Sequence, residues 1–126
     1  TGKSLLPIMR GEASGLREII HGEHAPHADP NNGSQFLVTR QMKYIWFTQT
    51  GREQLFDLKK DPGELHDLAL AAGDDADALL APWRDRMISF LKGRPEGFTD
   101  GNRLIPGRPH HNLLPGYKSG RMYPFL

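Results

Sequence analysis

The 126-residue sequence has no cysteine, which excludes disulfides and thiolate metal sites and leaves the redox compartment unreadable. It has no apolar run approaching the length needed to cross a bilayer, so no membrane partner is expected. It also lacks charge of one sign: 16 Lys and Arg stand against 15 Asp and Glu, a net +1. Acids and bases are interspersed, without the one-sided basic field that nucleic acid binding requires. The basic residues after Arg94 are scattered among Gly and Pro and form no block. No initiator Met and no secretory signal open the chain. "TGKSLLPIMRGE" begins mid-phrase, which is expected of a piece of a longer protein.

What the sequence does have is enough for one modest core. A hydrophobic content of 37% and a charged content of 25% fit one globular domain. A chain of this size buries about 70% or slightly less of its unfolded surface. The 14 glycines and 10 prolines gather toward the two ends, where irregular chain is expected.

The middle is built from β signals. Arg17 to Ala25 reads as a strand led by the β-branched pair Ile19 and Ile20, and "PHADPNNGS" as a loop turning at Asn32-Gly33. Phe36–Arg40 and Lys43–Thr48 are strands rich in β-branched and aromatic residues, with Gln41 and Met42 left as a tight hairpin between them. Tyr44, Trp46 and Thr48 share one face of the second strand, and Lys43, Ile45 and Phe47 the other. Both faces carry large apolar groups, which predicts a strand covered at least partly on each side. "EQLFDL" continues the meander after a turn at Gly51. Asp61-Pro62-Gly63 then turns the chain, with Pro fixing φ and Gly accepting positive φ. Glu64, Leu65, His66 and Leu68 are expected to make one helical turn that lays Leu65 and Leu68 on the sheet.

In "AAGDDADALLAPWRDRMISFLKG", Leu79, Leu80, Trp83, Met87, Ile88 and Leu91 recur at spacings of three and four, the mark of an amphipathic helix. Asp74 or Asp75 can cap its start and Gly93 its end. Pro82 implies a kink or a main helix starting just before it. Beyond Arg94, Phe98, Leu104, Ile105, Leu113, Leu114, Tyr117 and Phe125 are isolated apolar anchors in Pro/Gly-rich chain, which predicts an extended segment clinging to a surface. The fold class is therefore α+β: a small antiparallel sheet of about four strands, one long helix packed across one face, and an extended C-terminal tail.

"GKSLLPIMRGE", then "HGEH", then "RQMKYIWFTQTGREQLFDLKKDPGELHDLA", then a helix ending in "FLKGRPEGF" resemble, in that order, the C-terminal subdomain of bacterial sulfatases. These are arylsulfatase-like members of the alkaline phosphatase superfamily. The resemblance covers roughly residues 2 to 110. It implies that residues 1–15 end a catalytic domain and linker, 16–93 form the subdomain, and 94–126 form the extended tail. It also implies a sulfate ester hydrolase whose formylglycine nucleophile, made within a C/S-x-P-x-R motif, and whose Ca²⁺ ligands lie in an N-terminal domain. No such motif occurs here, so no catalytic residue carries over to this chain. Ca²⁺ belongs to the parent, and no cofactor is expected in residues 1–126. The expected partner is that N-terminal domain, with self-association through an exposed sheet face as a second expectation. By itself the chain should be inert.

Several side chains are candidates for chemistry. In "HGEH", alternation places His21 and Glu23 on one strand face and His24 on the other. Imidazole with carboxylate can bind Zn²⁺ or move protons, while the bland alternative is a strand with its histidines hydrogen-bonded locally. His21, His24 and His27 are the candidates for the rim of the parent's substrate pocket, since a sulfate ester needs donors around its oxygens. His110 and His111 lack further ligands, and His66 belongs to a turn. Asp57, Asp61, Glu64 and Asp67 do not follow EF-hand spacing. Tyr44, Trp46 and Phe47 suit a core better than a sugar-stacking platform. A free-standing module that binds protein or glycan through the Tyr44–Trp46 strand is the alternative from another class, and an oligomerisation element is a third.

Overall fold

The computed structural model describes residues 4–12, 17–24 and 33–109. In chain order these hold a one-turn helix α1 (Leu6–Met9), strands β1 (Ile20–His24), β2 (Ser34–Val38), β3 (Met42–Phe47) and β4 (Glu53–Asp57), helix α2 (Leu68–Ala72), a 3₁₀ turn (Gly73–Asp75) and helix α3 (Ala76–Leu91). The four strands form one antiparallel sheet in the order β1-β2-β3-β4. This is the α+β arrangement expected from the sequence.

Alternation along the strands sorts the side chains onto two faces. Leu37, Tyr44, Trp46 and Leu55 point to the helix side, where Ala69, Leu80, Met87, Leu91 and Phe98 close over them. The buried residues of α3 are Leu80, Met87, Ile88 and Leu91, the spacing that keeps one stripe of a 3.6-residue helix against the sheet. On the other side Phe36, Val38, Ile45 and Phe47 are half-buried and Phe56 is buried. Gly22 lies opposite Phe36 in the β1–β2 pair. A Cβ on Gly22 would stand 2.3 Å from Phe36 Cζ, so the missing side chain is what lets the phenyl ring lie across the edge strand.

Some local expectations shift. The hairpin pairs Thr39 with Met42 through Thr39 N–H to the Met42 carbonyl at 2.9 Å, so its loop is Arg40–Gln41, and β2 begins at Ser34. Thr39 Oγ1 holds the turn by accepting the Met42 N–H at 2.9 Å. Leu65 does not lie on the sheet; it is 79% exposed. The reason is at Glu64, which adopts positive φ (54°) and is held by Lys43 Nζ at 2.7 Å. Left-handed backbone at that position breaks a right-handed turn, and it falls on Glu64 rather than on Gly63. Leu68 does pack against the core, as the first residue of α2.

Asp75 makes no side-chain cap to α3. A capping carboxylate stands instead at the start of α2: Asp67 Oδ1 accepts the Ala69 N–H at 3.0 Å and also the Leu55 N–H of edge strand β4 at 3.1 Å. One oxygen thus serves a helix start and an open sheet edge, both of which carry backbone donors without strand or helix partners. Pro82 sits inside α3, and the helix start is extended toward α2 by the 3₁₀ turn.

Residues 94–109 are docked. Phe98 is fully buried and meets Trp46 edge-on at 5.7 Å between centroids. Thr99 and Leu104 bridge across a turn, and Gly107 N–H reaches the Thr48 carbonyl at 2.9 Å. The anchors Leu113, Leu114, Tyr117 and Phe125 lie outside the described residues.

Candidate functional site

Strand β1 brings His21 and Glu23 to the helix face and His24 to the opposite one, as alternation requires. His21 stacks on Phe90 of α3, with centroids 5.3 Å apart and planes at 22°. Its Nε2 lies 2.9 Å from Gln35 Oε1. The Gln35 amide nitrogen donates to Glu23 Oε2 at 3.2 Å, and Arg94 Nη2 donates to the same oxygen at 2.7 Å. Arg94 also donates to Glu96 Oε1 at 2.7 Å.

This chain of bonds has one consistent proton assignment. An ionised carboxylate only accepts, so Gln35 must turn its NH₂ toward Glu23 and its carbonyl toward His21. His21 Nε2 must then carry a hydrogen. Gln35, fully buried, is the hinge of the arrangement. Hydrogen bonding to Glu96, followed by the charges of Glu23 and Glu96, holds the Arg94 guanidinium above its usual pKa against the opposing effect of burial. The cluster fastens β1 to the chain beyond α3. His21 is therefore committed to packing and to Gln35, whereas His24 is exposed. His27 lies outside the described residues, as do His110 and His111.

A second polar cluster ties the middle of the sheet to the helix. Tyr44 Oη donates to Glu53 Oε1 at 2.5 Å. Arg84 approaches the same carboxylate through Nε at 2.8 Å and Nη2 at 2.7 Å, and its Nη1 bonds Asp77. Burial, reinforced by the Glu53 carboxylate, pushes the Tyr44 phenol far above its ordinary value, so it stays a neutral donor. Hydrogen bonds to Glu53 chiefly, then Asp77, raise Arg84 well above the usual guanidinium range despite partial burial. An open groove of about 450 Å³ runs beside this cluster between α3 and the Thr99–Leu104 turn, lined in part by Glu53, Arg84, Asp85, Asn102 and Arg103.

The acids around the "DPGE" turn have local tasks. Asp57 Oδ1 accepts the Lys59 and Lys60 N–H groups, each at 3.0 Å. Asp61 Oδ2 accepts the His66 N–H at 2.7 Å, and Glu64 pairs with Lys43. Among the described residues no three His, Asp or Glu side chains gather as metal ligands. Among the described residues the carboxylates are spent on turns and ion pairs and do not group as Ca²⁺ ligands. Trp46 is 1% exposed and Tyr44 fully buried, so neither offers a face to a sugar.

Sequence reading missed Gln35, Glu53, Arg84, Arg94 and Glu96. The first four sit on different elements, and only the register brings Gln35 opposite both Glu23 and Trp46. No local signal marks Arg94, whose partner Glu23 lies 71 residues away.

The architecture is that of an α+β unit in which polar groups join a meander to its helix. Its sequence is homologous to part of a sulfatase. The chain is 41% identical over 112 residues, 89% of its length, to an arylsulfatase of Clostridium perfringens (strain 13 / Type A), and it spans 22% of that enzyme. Its fold is similar to that of a solved 2-O GAG sulfatase, with a TM-score of 0.59 and 22% identity, over 88% of this chain and 26% of that one. No protein-family model matches the chain.

Proposed function

We propose that the chain is the C-terminal lobe of a sulfate ester hydrolase whose formylglycine nucleophile and Ca²⁺ reside in a preceding catalytic domain. The observation that carries this reading is the 41% identity to an arylsulfatase over 89% of the chain. The lobe's task is structural: one sheet face is closed by its own helix, and the other leans on the catalytic domain, with the end of β1 near the substrate pocket. Leu5, Leu6 and Met9 are 55–79% exposed, which supports a cover supplied from outside the described residues, because clustered exposed apolar groups mark interaction surfaces.

The buried state of Tyr44 and Trp46 speaks against the alternative of a glycan-stacking module on that strand. Reading the coding sequence upstream of Thr1 tests the proposal. A C/S-x-P-x-R motif in the same frame is expected. A frame that opens without one, or sulfate ester turnover by the purified 126-residue chain alone, would overturn it.

A further inference from the structure

The two edges of the sheet are finished differently. Thr48 N–H bonds the Gly33 carbonyl and Thr39 N–H the Met42 carbonyl, each at 2.9 Å, so Gly33 and Thr39 direct their backbone groups toward β3. Successive residues of a strand direct these groups alternately to its two sides. Ser34, Phe36 and Val38 therefore turn theirs toward β1, where they pair with His24, Gly22 and Ile20. The N–H and C=O groups of His21 and Glu23 are left pointing outward. The same alternation turns Leu55 outward on β4, and there the donor is met: Asp67 Oδ1 accepts the Leu55 N–H at 3.1 Å, and α2 packs beside the strand. Among the described residues no strand lies beyond β1, and no side chain does for it what Asp67 does for β4.

Two exposed apolar side chains flank this open edge, one on each face. Ile20, 56% exposed, lies on the face away from the helix, and Phe90, 43% exposed, stacks on His21 on the helix side. We infer that β1 is the seam of a two-fold symmetric dimer, in which it pairs antiparallel with β1 of a second copy and two four-stranded sheets become one. Any extended strand could satisfy the outward backbone groups; the side chains select the copy and the register. A dyad through Glu23 would set two carboxylates face to face, which is destabilising, and a dyad through His21 gains no charge pair.

A dyad through Gly22 sets His21 opposite Glu23 of the partner subunit, and the symmetry repeats the match, which is the self-complementarity a two-fold interface requires. The outward N–H and C=O groups of both residues then close the ladder. Gly22 meets Gly22 of the partner subunit at a non-hydrogen-bonded position, where backbones approach to about 4.5 Å. Having no side chain, it leaves that approach open. The Phe36 ring lies across Gly22 in each copy, since a Cβ there would stand 2.3 Å from Phe36 Cζ, so the two rings come together over the dyad. The seam goes beyond the sulfatase reading and does not draw on it, because it uses the sheet's edge and not the face assigned to the catalytic domain.

Sedimentation equilibrium of the 126-residue chain over a wide range of concentration should show monomer passing to dimer. Amide hydrogen exchange on the same samples locates the contact. The His21 and Glu23 N–H groups should be protected in the concentrated sample and exchange fast in the dilute one, while that of Glu53, outward on the far edge, should not respond. Ile20→Lys puts a charge on the exposed edge strand, opposite His24 of the partner subunit. It should weaken dimerisation about tenfold, since the dyad counts the change twice, and leave Tm of the dilute chain unchanged. Leu79→Lys, toward the other end of α3, should leave the dimer intact. A chain that is monomeric at every concentration, or a dimer indifferent to Ile20→Lys, would overturn the seam. So would protection of His21 and Glu23 that survives dilution, which would assign the edge to another segment of the same polypeptide.

Discussion

At the end of the sheet where β1 finishes and β4 begins, the two faces carry similar numbers of polar side chains and treat them oppositely. Glu23 and Glu53 face the helix, and each is met by an arginine, Arg94 or Arg84, at 2.7 Å. Side chains of the next row, His24 and Arg52, stay in solvent on the other face. Removal from water explains the difference at Glu53, whose side chain is 14% exposed and pairs in register with Trp46: a carboxylate there is tolerable only if paired and hydrogen-bonded, whereas a guanidinium over a half-buried phenyl ring keeps most of its hydration. Glu23 is exposed, and its pair with Arg94 ties β1 to the chain beyond α3 instead. One face spends its polar groups on holding the layers together, and on the other His24 and Arg52 take no part in joining sheet to helix.

The comparison is broken most severely at its apolar centre. Trp46→Ala removes a fully buried ring that meets Phe98, and should cost about 3–5 kcal/mol, a large share of the 5–15 kcal/mol typical of a domain. Phe47→Ala, one residue away on the open face, should cost about 1–2 kcal/mol because the ring is only half-buried. Urea unfolding of the two variants measures the contrast. Equal losses would mean that the second face is as closed as the first.

Next in size is Glu53→Gln. It keeps the shape but takes away the charge that Arg84 and Tyr44 share, and hydrogen bonds to charged groups are worth about 1.5–3 kcal/mol. A loss of about 2 kcal/mol is expected, since Glu53 is mostly buried and Arg84 is 30% exposed. A double-mutant cycle with Arg84→Gln should show strong coupling. Additive losses would show that the two layers are held by packing alone.

The same cluster makes a prediction in alkali. The Tyr44 phenol ionises in the unfolded chain near its ordinary value of 10.0 but is held far higher in the fold. A group with a raised folded pKa contributes stability that is fully present below the unfolded pKa and is lost as pH rises beyond it. Stability should fall by about 1.4 kcal/mol for each pH unit above roughly 10 on account of this one proton. Tyr44→Phe should flatten that part of the alkaline limb. Phenolate absorbance counting Tyr44 among the groups that ionise before unfolding would contradict the burial argument.

How much of this was legible beforehand follows from range. The meander was readable because β3 and β4 concentrate β-branched and aromatic residues, and the helix stripe because its period needs only local sequence. The separation of His21 and Glu23 from His24 followed from strand alternation alone. Leu65 was misplaced because a single backbone choice, positive φ at Glu64, depends on an ion pair with Lys43 across 21 positions. Arg94 and Glu96 looked like the start of a loose tail because their partner, Glu23, lies 71 residues from Arg94. The sorting of charge between the two faces was hidden for a related reason. It exists only once four strands are in register, and no local pattern connects His24 with Arg52.

The smallest expected effect lies in acid, and it sharpens the distinction between polar groups that join layers and those that shape turns. Asp61 sits below the ordinary carboxyl value of 3.8, chiefly because the His66 backbone N–H bonds its charged form. Asp100 does so through the Asn102 and Arg103 N–H groups. For a depressed pKa the contribution is present above the unfolded value and is lost as pH falls through the folded one. Both carboxylates sit in surface turns and are stabilised chiefly by backbone N–H groups rather than by a buried ion pair, so the effect is small. Asp61→Asn should therefore flatten the acid limb of the urea midpoint below about pH 4 only slightly, and leave the alkaline limb untouched. A drop in stability at neutral pH as large as that of Glu53→Gln would show that the "DPGE" turn, and not the Glu53–Arg84 pair, is the main polar tie of the fold.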